Sequence, residues 1–205
     1  MPRDATATRL SLLREAERLF ARQGLHQVPT REIVQAAGQR NSSALNYHFG
    51  SRSGVLDAIL SLHGDPTDIK RGELLALVGP EGSTRDLVAA LVVPYAAHLA
   101  TEEGRDYLRI VPQLSSRFSL WNQGSPGTGE QLIAILSILE ARPQSLSPEI
   151  RQERIVALIM LMTLAMSERA RVLEQGPVVN LDEPACISNL TDVLVGILEA
   201  PSPGN

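Results

Sequence analysis

Residues 30–53 write a short helix, a sharp turn and a second helix, and few other local structures satisfy that stretch. Thr30-Arg31-Glu32-Ile33-Val34-Gln35-Ala36-Ala37-Gly38 is followed within a dozen residues by Asn46-Tyr47-His48-Phe49 and then by Gly50-Ser51-Arg52-Ser53. Thr30 suits the cap of the first helix, Ile33, Val34 and Ala37 its buried face, and Gly38 the left-handed residue that stops it. Ser42 or Ser43 can cap the helix that follows. Two short helices joined by a glycine-containing turn make a helix-turn-helix, a geometry that can set the second helix in a DNA major groove.

At these residues the chain resembles the TetR/AcrR family of bacterial transcriptional regulators, over roughly residues 8–62. The family form is a Thr-capped helix, an Ala-Gly turn and a recognition helix ending in Tyr-Tyr-His-Phe. Here Asn46 replaces the first aromatic, and the turn Gln39-Arg40-Asn41-Ser42-Ser43 is slightly longer than the common form. The resemblance implies an all-α protein: an N-terminal three-helix head at 1–53, a connecting helix at about 53–63, and a larger helical body at 64–205. In such regulators the body pairs two subunits through its last two long helices and can enclose an effector pocket.

Composition is consistent with this. Aromatics are 3% of the 205 residues, so the core must be built from Leu, Ile, Val and Ala, which suits helix packed on helix. The single cysteine, Cys186, has no partner for a disulfide or a metal site, which points to the reducing cytoplasm. The N-terminal segment is not patterned as a signal peptide, and the apolar run 155–166 is too short to span a bilayer. Net charge is −4 overall but unevenly placed: residues 1–53 hold eight arginines against four acids, and the remainder is net −8. A basic head on an acidic body is expected where only the head meets phosphate.

Along the chain, apolar spacing predicts helices at 8–23, 30–37, 43–49 and from 51 or 53 to about 62. Gly64-Asp65-Pro66 reads as a break, with a new helix from Pro66 to about 78. Further helices are expected at 84–100 with a kink or break near Pro94, and at 101–117 interrupted at Pro112. Residues 122–129 read as a mobile loop, and helices are expected at 129–141, 148–175 and 183–199, with Gly176-Pro177 as a stop and 201–205 as a tail.

For DNA, Thr30 and Arg31 lie at the start of the first helix of the motif. Arg40, Asn41, Ser43 and Asn46 are candidates for base edges, because Arg matches guanine and Asn matches adenine with paired hydrogen-bonding groups. Tyr47 and His48 can reach phosphate oxygens, as the matching family residues do. Arg52 with the amides opening the next helix offers a further anion site. In the body, His98, Tyr107, Arg109, Phe118, Trp121, Met160, Met162 and Met166 are candidates for an effector pocket, with Trp121 as a lid; plain core packing is the alternative. Ile155, Leu158, Ile159, Ile187, Leu190, Val193, Leu194 and Ile197 leave more apolar surface than one subunit's core needs, and are candidates for a dimer interface.

No Gly-rich phosphate loop, His-Glu-x-x-His or Cys/His cluster occurs, so no catalytic residue, metal or cofactor is expected. The expectation is a non-enzymatic, sequence-specific DNA-binding regulator, a cytoplasmic, nucleoid-associated homodimeric repressor released from its operator by a small apolar effector. The alternatives are a ligand-independent dimeric regulator and a small helical enzyme that retains the head.

Overall fold

The structure is a computed structural model, describing residues 2–176 and 180–201. The expected stop at Pro177 and the tail from 202 onward lie outside the described residues. In chain order the helices are α1 (Pro2–Gln23), α2 (Thr30–Ala36), α3 (Ala44–Phe49), α4 (Arg52–Val78) and α5 (Thr84–Ala96). A 3₁₀ turn, Ala97–Ala100, leads to α6 (Glu102–Ile110) and a 3₁₀ segment, Val111–Gln123. Then come α7 (Glu130–Ala141), α8 (Pro148–Gln175) and α9 (Glu183–Glu199). The described residues contain no strand beyond one isolated bridge, Ser125 to Thr128.

Spacing decides which face of each helix is covered. In α1, Leu12, Leu13, Ala16, Leu19 and Phe20 recur at three- and four-residue intervals and are all buried. Gly24 ends the helix at φ +100°, its N–H donating to Phe20 O. Ile33, Val34, Leu45, Val55 and Ile59 complete the head's core. That core runs without interruption into the body's, where Leu87, Leu91, Leu108, Ile110, Ile135 and Leu136 are fully buried. Burying each such side chain contributes roughly 1.5–3 kcal/mol.

The expected break at 64–66 does not occur, since α4 passes through Gly64 and Pro66 as one helix. Pro66 deprives the preceding turn of one donor. Beside it, buried Thr67 bonds back to His63 O at 2.7 Å. Gly64 serves close packing instead: a Cβ there would stand 2.7 Å from Gly127 Cα. Tertiary contact has overridden a local breaker signal. The Pro94 signal is overridden similarly, with Pro94 buried inside α5 and the helix tightening into a 3₁₀ turn only after Ala96.

The stretch expected to be a mobile loop is pinned. Ser125 Oγ and Thr128 Oγ1 are 2.8 Å apart, Thr128 N donates to Ser125 O, and Gly127 lies against Leu60 at φ +75°. Asp68 of α4 then accepts from Gln131 N at 3.0 Å and Leu132 N at 2.8 Å, capping α7 from a neighbouring helix because Gly129 has no side chain to do so.

Head and body are tied at α1. Glu17 is buried with an oxygen 2.5 Å from His63 Nε2, and Arg22 pairs with Glu102 at 3.2 Å. Gln113, in the 3₁₀ segment, donates to Phe20 O at 3.2 Å and accepts from Leu25 N at 2.7 Å. The helix carrying the head's core is therefore clasped by the body at its carboxyl end.

Candidate functional site

The turn of the head is built by backbone groups and one carboxamide rather than by hydroxyl caps. Thr30 is the first residue of α2 and makes no capping bond, Pro29 occupying the cap position. Gly38, at φ +69°, reverses the chain, with Gln39 N donating to Val34 O at 3.0 Å. Ser43 precedes α3 without a side-chain cap. Asn41 does this work: its Oδ1 accepts from Ser43 N at 2.9 Å and its carbonyl from Ala44 N at 3.0 Å. Asn41 was expected to read a base; its carboxamide oxygen is instead committed to the turn.

On α3, Ala44 and Leu45 are buried and Asn46 and Tyr47 face out, Tyr47 being 82% exposed. Phe49 packs inward, with the Arg9 guanidinium 4.8 Å above its ring. His48 is half-buried, its ring 5.0 Å from that of Tyr47. Arg31, Arg40 and Ser43 are exposed on α2 and the turn. Gly54 lets α4 follow closely, since a Cβ there would collide with Phe49 O.

Arg52 departs from expectation. Its Nε donates to Val28 O at 3.1 Å, its guanidinium lies 4.8 Å from the Phe20 centroid, and its Nη2 is buried without a partner. It is turned into the head as a brace rather than outward as an anion ligand. The start of α4 is capped by Ser51 Oγ, which accepts from Gly54 N at 3.0 Å.

Residues 12–59 match the family model described as bacterial regulatory proteins, tetR family. The chain carries a tetR-family head and fold. Solved tetR-like folds align along nearly all of it. NalD, the secondary repressor of the MexAB-OprM multidrug efflux pump in Pseudomonas aeruginosa, is 18% identical with a TM-score of 0.55, over 94% of this chain and 96% of NalD. A transcriptional regulator from Rhodococcus sp. Rha1 is 17% identical with a TM-score of 0.54, over 93% of this chain and 95% of its own. Comparison with curated proteins finds no match.

In the body of the chain, α4, α5, α6, the 3₁₀ segment, the 125–128 turn, α7 and α8 line a cavity of about 110 Å³. Of the residues expected to line it, Tyr107, Phe118 and Trp121 do. Trp121 is buried in the wall and is not a lid on a loose loop. His98 stands behind the wall, 4.8 Å from the Tyr107 ring, with Nε2 2.8 Å from Thr67 Oγ1. Arg109 is drawn away to Glu174 at 2.7 Å. Met162 and Met166 are core residues outside the lining, and Met160 faces an open apolar groove with Pro112, Phe118 and Leu164.

Most of the lining escaped the sequence reading, Arg71 and Tyr95 among it. Arg71 sits on α4 and Tyr95 follows Pro94, and both are buried. Nothing in the spacing distinguishes Arg71 from the neighbouring surface charges Lys70 and Glu73. Its burial pulls the guanidinium below its ordinary range, against the opposing fields of Tyr107, Asp68 and Tyr95. Burial also pushes Tyr95 well up and Tyr107 up to about 12, so both phenols stay protonated. His98 is lowered to about 4 by desolvation first and by His63 and Arg71 next, leaving a neutral imidazole at pH 7.

The expected interface set divides. Ile155, Leu158, Ile159, Leu190 and Leu194 are buried within the chain and belong to its own core, because α9 packs on both α5 and α8. Ile187 and Ile197 are half-buried. Val193 is exposed, as are Met160 and, at 61%, Leu164. Among the described residues no helix is long and apolar enough to cross a membrane.

Proposed function

We propose that this tetR-family protein is a repressor that binds operator DNA as a homodimer in the cytoplasm and is released when a small, largely apolar molecule occupies the body cavity. One observation carries the coupling. The 3₁₀ segment that supplies Val111, Leu114, Phe118 and Trp121 to the cavity wall also supplies Gln113, which clasps α1 at Phe20 and Leu25. A ligand that moves this wall moves the end of the head's longest helix. The ligand shifts the equilibrium only by its differential affinity for the two arrangements of the heads.

In this reading Tyr47 and His48 contact phosphate, and Arg40, Ser43 and Asn46 face base edges, with Arg31 beside them. Two heads on a twofold dimer would read half-sites about one DNA turn apart, which gives a six-residue recognition helix useful specificity. The apolar positions left outward, Met160 and Leu164 on α8 and Val193 on α9, are the ones we assign to the dimer contact. The test is sedimentation of the purified protein with a DNA fragment selected from the source genome. Two chains per fragment are expected; one chain per fragment, or no selectable fragment, refutes the reading.

A further inference from the structure

We propose that the body cavity is a site for a small monocarboxylate with an apolar body, its carboxylate held by Arg71 and hydrogen-bonded by Tyr95 Oη and Trp121 Nε1. The proposal deepens the effector reading above and rests on it for its regulatory meaning, though not for binding itself.

Three side chains from three different elements border the same cavity, and each carries a buried polar atom with no partner. Arg71 Nε on α4, Tyr95 Oη on α5 and Trp121 Nε1 on the 3₁₀ segment are all buried, and none has a hydrogen-bond partner among the described residues. Arg71 is only 4% exposed. A guanidinium does not shed its charge in a protein, and an unpaired buried charge is strongly unfavourable. Asp68, whose field reaches Arg71, accepts from Gln131 N and Leu132 N and makes no ion pair with Arg71. The residue is thus a buried cation whose nearby carboxylate is engaged elsewhere.

The neighbouring groups define what would complete it. Burial keeps the Tyr95 phenol protonated, and an indole N–H can only donate, so a cation and two donor-bearing side chains border one cavity. That arrangement calls for an acceptor carrying a single negative charge. Arg117, the second guanidinium of the lining, is exposed, so the buried charge to be matched is that of Arg71, and a doubly charged phosphate would leave net negative charge beside Leu60, Val111, Leu114 and Leu132. Those side chains suit an apolar body instead. A water-sized position takes roughly 10–15 Å³ of such volume. The cavity of about 110 Å³ therefore admits the size class of benzoate or hexanoate.

The experiment is calorimetric titration of the full chain with benzoate, hexanoate, their amides benzamide and hexanamide, and inorganic phosphate. At least one acid should bind saturably and at least tenfold more tightly than its amide, with phosphate not competing. Arg71→Gln should cost that acid tenfold or more, and Trp121→Phe, which keeps the ring and loses the N–H, several-fold. Circular dichroism identifies a variant that fails to fold, in which case the Trp121→Phe result decides. Failure of both acids to bind, amides binding equally well, or acid binding unmoved by the substitutions overturns the proposal. If a selected DNA fragment binds the protein but neither acid does, this inference alone falls. If an acid binds as described but leaves the protein on its DNA, the carboxylate site stands and the effector reading falls.

Discussion

The carboxamide of Gln113 bridges body and head: its oxygen accepts from Leu25 N at 2.7 Å while its nitrogen donates to Phe20 O and, at 3.0 Å, to Arg109 O. One side chain thus closes the end of α1 and ties it to the segment that walls the cavity. Leu25 itself is buried, so its amide has no ready substitute in water.

Gln113→Ala should accordingly lower stability by about 1–3 kcal/mol, the range for stranding a buried donor. It should also loosen the head locally. Hydrogen exchange at the Leu25 amide is expected to accelerate more than at Ile33 or Leu45, and unchanged exchange at Leu25 would show that the clasp does not hold the head.

On α3 and the preceding turn the two classes of contact should separate. Tyr47→Ala is expected to weaken binding to cognate and scrambled duplexes alike and to flatten the salt dependence, as loss of a phosphate contact does. Arg40→Ala or Asn46→Ala should cost discrimination, about 1–3 kcal/mol for a good bidentate base contact. Arg52→Ala should behave differently, destabilising the fold by roughly 1–3 kcal/mol because its guanidinium braces Val28 and Phe20. A thermal melt of Arg52→Ala that matches wild type would contradict that placement.

For assembly, the outward and inward apolar residues of the last two helices make opposite predictions. Met160→Glu with Leu164→Glu should leave a folded chain that sediments as a monomer, because both side chains are exposed in the single subunit. Leu194→Glu should abolish folding, since it buries a charge in the chain's own core. A folded, dimeric Met160/Leu164 double variant would move the interface elsewhere.

Acid should act on His98 and Asp106 with opposite signs. His98, lowered from 6.5 to about 4, contributes stability that is present above pH 6.5 and is lost as pH falls toward 4. Asp106 is raised from 3.8 to about 6, mainly by desolvation against the lowering fields of Arg22 and Arg109, so its contribution is present below pH 3.8 and lost as pH rises through 6. Urea titrations of His98→Asn between pH 6.5 and 4 should show a smaller acid loss than wild type, by on the order of 2 kcal/mol. Equal slopes would place His98 in water.

The head was legible in the sequence because its signals are local. Gly38 must turn the chain, and Ile33, Val34 and Leu45 must be covered whatever the body does. The long helices α8 and α9 were legible for the same reason, each opened by a capping residue, Ser147 or Asp182, followed within two positions by proline. What escaped depends on contacts distant in sequence. Gly64 reads as a breaker until Gly127 is seen against it, and Arg71 reads as a surface charge until α5 and the 3₁₀ segment close over it. Leu190 and Leu194 looked surplus to one subunit because the contact of α9 with α5, far earlier in the chain, is invisible in either helix's own pattern.

The central claim, that this chain is a sequence-specific DNA-binding regulator, is tested most directly by selecting fragments of the source genome on the immobilised protein and titrating the strongest. The account predicts a fragment with two inverted half-sites, bound at least a thousandfold more tightly than its scrambled counterpart at physiological salt, the low end for specific regulators. Binding that shows no preference between the two fragments, or none at all, would contradict it.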